Sequence, residues 1–290
     1  MTEPDVAPGR LHEHLEYQRQ AYDHHYPQMA TAVRQQREHA LFGSFLDRLA
    51  SLILDLGLPP AGAATGEGRP PVRLYEAGCG EGLLASAVQR AAAERGLEFA
   101  YLGSDISAAG LELARPVLAG ELRLGDAISI TAELPSASQD LVWAKNLLHH
   151  LDDPVAFLRE ASRVVGPQGR VVIIEPRLYC PVHWINCIWF RQERFLWHGY
   201  RRTLAAFRQA GVNVLETRPY SWLPYELAFA TRFHLPRRLV STRDPRVVAR
   251  VTAVDERLMA ALPDLSLYRV SVLTAAEAGS ADGAAGTNSR

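Results

Sequence analysis

The first part of the chain repeats apolar residues at the spacing of a helix. Apolar positions recur every three or four residues up to the glycine- and proline-rich segment 57–71, as in the stripe Leu41, Phe45 and Leu49. This is the period of an amphipathic helix, whereas the glycine- and proline-rich segment indicates a flexible connection. We therefore expect a helical N-terminal cap with its linker over residues 1–71.

From residue 72 onward, short apolar runs alternate with helical patterns. The runs that predict strands are VRLYEA, EFAYLGSDI, LRLGDA, DLVWAKN and RVVIIEP. Helical patterns follow most of them, but a connection through Pro135 follows the third. Such alternation predicts a parallel sheet covered by helices on both faces. With a later helix and two further strands, the pattern predicts an α/β fold with a doubly wound, mostly parallel, seven-stranded sheet, whose core occupies residues 72–222.

A long arginine-rich segment separates the last two predicted strands. Residues 223–265 contain Pro236 and Pro245 and exceed the length of an ordinary connection. We therefore expect a helical insertion or lid at this position. The last core strand should then occupy residues 266–274, and the small and polar residues 275–290 should form a disordered tail.

The composition is that of a globular protein. Of the 290 residues, 48% are hydrophobic and the formal net charge is -1, which argues against a disordered chain. No apolar run reaches the roughly 18 residues of a membrane span, and the first residues lack a secretory signal pattern, so we expect a cytoplasmic protein. The cysteines Cys79, Cys180 and Cys187 form neither a disulfide framework nor a zinc motif, and we expect no metal.

The positive charge is concentrated in the later third of the chain. From Arg177 to Arg250 the sequence holds thirteen arginines against four acidic residues. No known nucleic-acid-binding module accompanies this charge, so we expect no nucleic-acid partner. Aromatic side chains lie among the arginines, and such a surface allows weak peripheral contact with an anionic membrane.

The stretch VRLYEAGCGEGLLA, from Val72 to Ala85, passes from a predicted strand through three glycines into a helix. Ligands of open parallel sheets bind beyond the carboxyl ends of the strands, and glycine lets the backbone approach a ligand closely. A triphosphate loop requires a lysine and a hydroxyl residue after its last glycine, and this stretch has neither. A dinucleotide loop requires glycine where Leu83 stands, and Glu76 would carry negative charge towards the pyrophosphate. Both departures disfavour a nucleotide-dependent oxidoreductase.

The order acid-x-Gly-x-Gly-x-Gly, from Glu76 to Gly82, resembles the glycine loop of the class I S-adenosylmethionine-dependent methyltransferases. The resemblance continues in order and spacing to Pro176, through YLGSDIS, LGDA, DLVWAKNLLHHLDDP and RVVGPQGRVVIIEP. It implies a Rossmann-like methyltransferase fold with S-adenosylmethionine as the cofactor. Later segments are similar to one branch of this family, the type 11/12-like enzymes that act on small molecules.

The resemblance implies roles for residues that follow the predicted strands. Glu76 would bind the amine of the cofactor, Asp105 its ribose hydroxyls, and Asp126 its adenine amino group. As alternatives, Asp105 caps a helix and Asp126 stabilises a turn. The cofactor-binding residues expected on this basis are Glu76, Gly78, Cys79, Gly80, Gly82, Asp105, Ile106, Asp126, Ala127, Asn146 and Tyr22.

Transfer of a methyl group to a hydroxyl or a protonated amine requires a base, and histidine suits neutral pH. His150 is the first candidate and His149 the second, because both follow the fourth predicted strand. Alternatively, one of them caps the next helix or packs under the adenosine. His25, in the N-terminal segment QAYDHHYPQ, is a third candidate if that segment folds over the cofactor, as in many family members of this size; otherwise it lies on a helix surface.

Three residues are candidate substrate contacts. Lys145 is the only lysine of the chain and ends the fourth predicted strand, where its compact ammonium suits a carboxylate or a phosphate. Tyr26 and Trp184 are the others, although Trp184 fits a helix packed on the sheet equally well. We expect methyl transfer to an O or N atom of a small or amphipathic molecule, such as a natural-product, quinone or lipid-linked intermediate. The alternatives are methylation of protein or RNA, and a non-catalytic regulator that binds the cofactor.

Overall fold

The structure is a computed structural model that describes residues 16, 18–20, 22–24, 40–58, 70–177, 203, 205–221 and 244–275. Its helices are α1 (Ala40–Gly57), α2 (Leu83–Glu94), α3 (Ala108–Ala114), α4 (Ala127–Glu133), α5 (Pro154–Val165) and α6 (Pro245–Ala261). Its strands are β1 (Val72–Ala77), β2 (Phe99–Asp105), β3 (Glu121–Leu124), β4 (Leu141–Lys145), β5 (Arg170–Pro176), β6 (Asn213–Tyr220) and β7 (Tyr268–Thr274). Short 3-10 turns cover Leu148–His150 and Pro263–Leu265, and the described residues before α1 are helical.

The described strands form one sheet in the order β3-β2-β1-β4-β5-β7-β6. Strands β1 to β5 are parallel, and β7 pairs antiparallel with both β5 and β6. The prediction of a doubly wound, mostly parallel, seven-stranded sheet is therefore confirmed. The chain order reverses between β1 and β4, so the carboxyl ends of these two strands border the crevice in which such sheets bind ligands.

Helices cover both faces of the sheet and hold the site at its edge. On one face, α1 buries Phe45 and Leu49 in a cluster that includes Trp143 of β4. On the other face, Phe157 of α5 packs in a cluster that includes Val142 of the same strand. Because β4 is covered on both sides, nearly all its residues are apolar, as expected for a central parallel strand. Helix α1, expected as part of a cap, thus forms one wall of the core.

One helix was not expected from the sequence. Helix α4 occupies residues for which the pattern predicted only a connection, and β3 ends at Leu124 instead of reaching Ala127. The Asp126 side chain begins α4 by accepting hydrogen bonds from the backbone N–H groups of Ile128 and Ser129, at 2.9 and 3.3 Å. The helix is short and rich in β-branched residues, which lower helix propensity. In the sequence, the capping residue Asp126 therefore indicates this helix more strongly than its composition does.

Helix α6 lies inside the predicted arginine-rich insertion and is fixed to α1. The guanidinium of Arg48 on α1 donates to the fully buried carboxylate of Asp255 on α6, with 2.9 Å between Nη2 and Oδ2. The hydroxyls of Ser44 and Thr252 meet beside this ion pair at 3.4 Å. Strand β7 then begins at Tyr268, two residues after the predicted start of the last core strand. Among the helices in the described ranges, none combines the length and apolarity needed to cross a membrane.

Candidate functional site

A cavity of about 400 Å³ opens at the carboxyl ends of β1, β2 and β4. This volume lies within the range of sites for small molecules and cofactors. Backbone of the glycine loop forms one part of its wall, and the turn that follows β4 forms another. Side chains of α1 (Phe42 and Leu46) and of the N-terminal helical residues (Gln18 and Tyr22) complete it.

The glycine loop requires backbone conformations that other residues rarely adopt. Gly78 and Gly80 have positive φ angles of 75° and 51°, in the left-handed region that glycine enters without strain. The N–H groups of Gly78 and Cys79 donate to the carbonyl of Ser104 on β2, at 2.8 and 2.9 Å. The loop is therefore tied to β2 while its own surface lines the cavity, with the Cys79 side chain buried beneath it.

The third glycine of the motif, Gly82, does not line the cavity. Its φ is 76°, and a Cβ at this position would lie 2.8 Å from Cδ1 of Leu118 and 3.2 Å from Cβ of Ala114. Gly82 thus lets the start of α2 pack closely against the end of α3. Glycine is needed here for packing between helices, and a contact between Gly82 and the cofactor stays a prediction.

Glu76 ends β1 as a buried acid in the cavity wall. Its carboxylate is 2% exposed and accepts a hydrogen bond from the Tyr101 hydroxyl at 3.2 Å. Burial raises the pKa of the Glu76 carboxyl from 4.5 to about 8, although the Tyr101 hydroxyl and the charge of Lys145 favour the ionised form. A cationic amine in the cavity would supply the counter-charge that a buried carboxylate requires.

This pKa predicts a pH-dependent stability. The pKa of Glu76 is higher in the folded chain than in the unfolded chain. Between about pH 4.5 and pH 8, Glu76 therefore keeps its proton in the folded chain but has lost it in the unfolded chain. The free energy of unfolding should therefore fall as pH rises from 5 to 8, by an amount on the order of a few kcal/mol. Glu76→Gln should flatten this dependence in denaturant titrations, whereas the exposed control Glu112→Gln should keep it. Parallel curves for Glu76→Gln and the wild type would contradict the assignment.

Asp105 ends β2 and joins the glycine loop to α3. One carboxylate oxygen accepts from the Gly80 N–H at 2.7 Å and the other from the Ser107 N–H at 2.9 Å. Burial raises the pKa of the Asp105 carboxyl, and these two amides counteract the shift. Each oxygen retains a further lone pair for a hydroxyl donor. The Ser107 side chain, and not Asp105, caps α3, through a bond from the Gly110 N–H.

The turn after β4 is fixed by Glu175 at the end of β5. One Glu175 oxygen accepts from the backbone N–H groups of Leu147 and Leu148, at 2.9 and 2.8 Å. The other lies 2.5 Å from Nδ1 of His149, and both side chains are 6% exposed. His149 is not among the residues that line the cavity, and its ring contacts a buried carboxylate. A contact between His149 and the acceptor stays a prediction.

His150 lines the cavity and is held by the N-terminal helical residues. The Tyr22 hydroxyl lies 3.1 Å from Nε2 of His150, and Gln18 donates to the His150 carbonyl at 2.8 Å. Asp23 accepts from the hydroxyl of Ser107 at 2.6 Å, which ties the same helical segment to the start of α3. Gln18 and Tyr22 are four residues apart and share one helical face, and this face closes the cavity.

Two residues at the end of β4 also face the cavity. Asn146 adopts a positive φ of 55°, and its Oδ1 is buried without a hydrogen-bond partner among the described residues. Backbone strain and an unsatisfied buried oxygen are typical of functional positions. The Oδ1 of Asn146 can therefore accept a hydrogen bond from a bound ligand. The Lys145 ammonium lies 5.3 Å from the ring centroid of Tyr268 on β7.

Most residues predicted for the site are brought together around this cavity: Glu76, Gly78, Cys79, Gly80, Asp105, Ile106, Asp126, Ala127, Lys145, Asn146, His150 and Tyr22. The predicted residues His25, Tyr26 and Trp184 lie outside the described residues. Sequence reasoning missed Gln18, Asp23 and Glu175. A signal existed only for Glu175, an acidic residue that ends an otherwise apolar strand.

Comparisons with known proteins agree with this geometry. Residues 75–173 match the family described as Methyltransferase domain. The ubiquinone biosynthesis O-methyltransferase of Alkalilimnicola ehrlichii is 33% identical over 110 residues, which are 37% of this chain and 41% of the relative. The malonyl-[acyl-carrier protein] O-methyltransferase of Hahella chejuensis is 36% identical over 106 residues, or 35% of this chain and 36% of the relative. The matches thus span about two fifths of the relatives' length.

The fold of the described residues resembles that of a solved structure. The plantazolicin methyltransferase aligns with a TM-score of 0.52 and 15% identity, and the alignment covers 91% of this chain and 97% of that one. This likeness shows the fold. The family match, with the sheet order, identifies residues 75–173 as a methyltransferase domain of the class I, S-adenosylmethionine-dependent type. The cofactor of the domain is therefore S-adenosylmethionine.

The residues of the cavity fit this cofactor. The glycine loop presents backbone to the cavity, and the buried Glu76 carboxylate requires a cationic partner, which the amine of the cofactor can supply. Asp105 has lone pairs for the ribose hydroxyls, and the unsatisfied Oδ1 of Asn146 can accept a hydrogen bond. Asp126 uses its carboxylate to cap α4, so contact with the adenine amino group remains a prediction.

Proposed function

We propose that the chain transfers a methyl group from S-adenosylmethionine to an O or N atom of a small or amphipathic molecule. The observation that carries this proposal is that one cavity is lined both by the glycine loop with the ends of β1 and β2 and by His150, which Tyr22 contacts. A cofactor site and a candidate base in one enclosure are what methyl transfer to a protonated acceptor requires.

The cofactor supplies an electrophilic methyl group on a sulfonium, so the chain need not activate the methyl donor. Its residues instead have to orient the acceptor, exclude water and receive a proton. Phe42 and Leu46 of α1, with Leu147 and Leu151 beside the histidine, give the cavity apolar walls. His150 can accept the acceptor's proton at Nε2, the nitrogen that lies 3.1 Å from the Tyr22 hydroxyl.

The side chains that line the cavity indicate the class of acceptor. Apolar side chains on α1 and after β4 suit a hydrophobic body, and Lys145 suits an anionic group on it. The two relatives are named for ubiquinone biosynthesis and for a malonyl group on an acyl-carrier protein. With the apolar walls and Lys145, these names support a small or amphipathic acceptor that carries an acidic or phenolic group.

A panel assay tests this proposal. The full chain is incubated with S-adenosylmethionine and, in separate reactions, with phenolic acids, quinols, medium-chain carboxylates, basic peptides and short RNAs. We expect S-adenosylhomocysteine to form with an acidic or phenolic small molecule, whose mass increases by one methyl group in place of a hydrogen. Methylation of the peptide or the RNA alone would replace the small-molecule acceptor by a macromolecule. Cofactor binding without turnover across the panel would support a regulator.

A further inference from the structure

The glutamate near the end of β5 contacts three hydrogen-bonding groups of one turn. Glu175 is 4% exposed, and its two oxygens are engaged by three donors: the N–H groups of Leu147 and Leu148, and Nδ1 of His149. All three belong to the turn that carries His150. A carboxylate with this set of donors fixes both the position of the turn and its local charge.

The contact with Glu175 determines the tautomer of His149. An ionised carboxylate only accepts hydrogen bonds, so Nδ1 of His149 must carry the proton in the 2.5 Å contact. The neutral ring then has its unprotonated nitrogen at Nε2. A hydrogen-bonded carboxylate that holds one imidazole nitrogen in this way selects the tautomer.

His149 in turn contacts the histidine that lines the cavity. The ring centroids of His149 and His150 are 4.0 Å apart, with 44° between the ring planes. On its other side His150 meets the Tyr22 hydroxyl at Nε2 and forms an edge-on ring contact with Tyr22. The order Glu175, His149, His150, Tyr22 therefore runs from a buried carboxylate on β5 to the cavity.

We propose that Glu175 is a positioning residue for methyl transfer, which keeps His149 protonated at Nδ1 and places a negative charge behind His150. This inference rests on the proposed function. When the acceptor's oxygen or nitrogen forms its bond to the methyl carbon, the bond between that carbon and the cofactor's sulfur breaks. The acceptor's proton passes to Nε2 of His150, and the Glu175 carboxylate balances the resulting positive charge through His149.

Other ionisable groups surround the histidine pair. Within the described residues, Tyr22 meets His150 directly, and Asp23 and His24 belong to the same helical segment. Asp152 and Asp153 follow in sequence, and the remaining ionisable side chains of the cavity wall are Glu76, Cys79, Glu81, Asp105, Asp126 and Lys145. Glu175 and Tyr22 each form a hydrogen bond at a ring nitrogen of the pair, Glu175 with His149 and Tyr22 with His150. Replacement of Glu175 therefore changes the charge on the side away from the cavity.

The tautomer can be tested on the unmodified protein, without an acceptor. Nitrogen-15 spectra of the histidine side chains, with S-adenosylhomocysteine bound, should show His149 at pH 7.5 with its proton on Nδ1, the less common tautomer. His149→Asn and His150→Gln samples provide the assignment. A spectrum with the His149 proton on Nε2 would overturn the proposal whether or not the chain is a methyltransferase.

The charge is tested by Glu175→Gln, with the surface variant Glu160→Gln on α5 as the matched control. Gln still accepts from a backbone N–H but has no charge. We expect the acid limb of the pH profile of kcat/KM, and the titration midpoint of His150, to move to lower pH, because the variant removes a negative charge near the histidine. We also expect kcat to fall about ten- to hundredfold, with S-adenosylhomocysteine affinity within threefold of wild type.

Two results would contradict the role of Glu175. In the first, kcat falls but the pH profile and the His150 midpoint stay in place, as expected if Glu175 only holds the turn. In the second, Glu175→Gln keeps both the rate and the profile of the Glu160→Gln control. If the wild-type chain did not bind S-adenosylhomocysteine, the proposed function itself would be contradicted. The failure of the proposed function and the failure of the role of Glu175 are therefore distinguishable.

Discussion

Replacement of Asp105 by alanine should weaken binding of S-adenosylhomocysteine at least about a hundredfold. The carboxylate lines the cavity and holds the Gly80 and Ser107 amides, so its loss removes candidate ribose contacts and loosens the glycine loop together. Hydrogen bonds to a charged group contribute about 1.5–3 kcal/mol each, and two of them correspond to a loss of at least about a hundredfold in affinity.

A thermal shift measures this effect. At a hundred times its dissociation constant, the ligand should stabilise the wild-type chain by roughly 2.7 kcal/mol, and the melting temperature should rise accordingly. Asp105→Ala should show no such rise, while Asp47→Ala, an exposed aspartate paired with Arg90 on the surface, should behave as the wild type. An unchanged ligand-induced rise in Asp105→Ala would exclude Asp105 from the cofactor site.

Replacement of His150 by glutamine should stop the chemical step and leave cofactor binding intact. Gln can form hydrogen bonds similar to those of the imidazole, including one with Tyr22, but it cannot accept a proton at neutral pH. General base catalysis contributes about a hundred- to ten-thousandfold to such reactions, so we expect kcat to fall within that range. Single-turnover formation of S-adenosylhomocysteine, with the acceptor identified by the panel assay, measures the loss.

The matched control for this variant is His24→Gln. His24 is an exposed histidine on the same N-terminal helical segment, and its replacement should change neither rate nor binding. If His150→Gln turned over within threefold of the wild-type rate, the acceptor would not need His150 as its base. An acceptor that loses its proton to water before transfer would then explain the reaction.

Periodicity and loop chemistry were sufficient to predict the sheet and the edge at which the site lies. β1, β2 and β4 are mostly apolar, and polar residues stand at or next to their carboxyl ends: Glu76, Asp105 and Lys145. In a parallel sheet such ends meet at one edge. The position of the cavity could therefore be predicted from short local patterns of apolar and polar residues.

The missed features depend on contacts between segments far apart in sequence. Glu175 binds a turn 26 residues away from it, at His149, and Gln18 reaches His150 across 132 residues. Residue type and spacing do not encode such pairings, because an acid after a strand has many structural uses. Gly82 shows the converse case: the motif is real, but its third glycine serves the packing of α2 against α3.

Calorimetric titration of the wild-type chain with S-adenosylhomocysteine, and with NADH in a parallel experiment, tests the central claim most directly. We expect one site for S-adenosylhomocysteine with a dissociation constant on the order of micromolar, about −8 kcal/mol, and no heat of binding for NADH. Saturable binding of NADH alone would mean that the glycine loop holds a dinucleotide. The cofactor, the base and the positioning glutamate assigned to this cavity would then all be wrong.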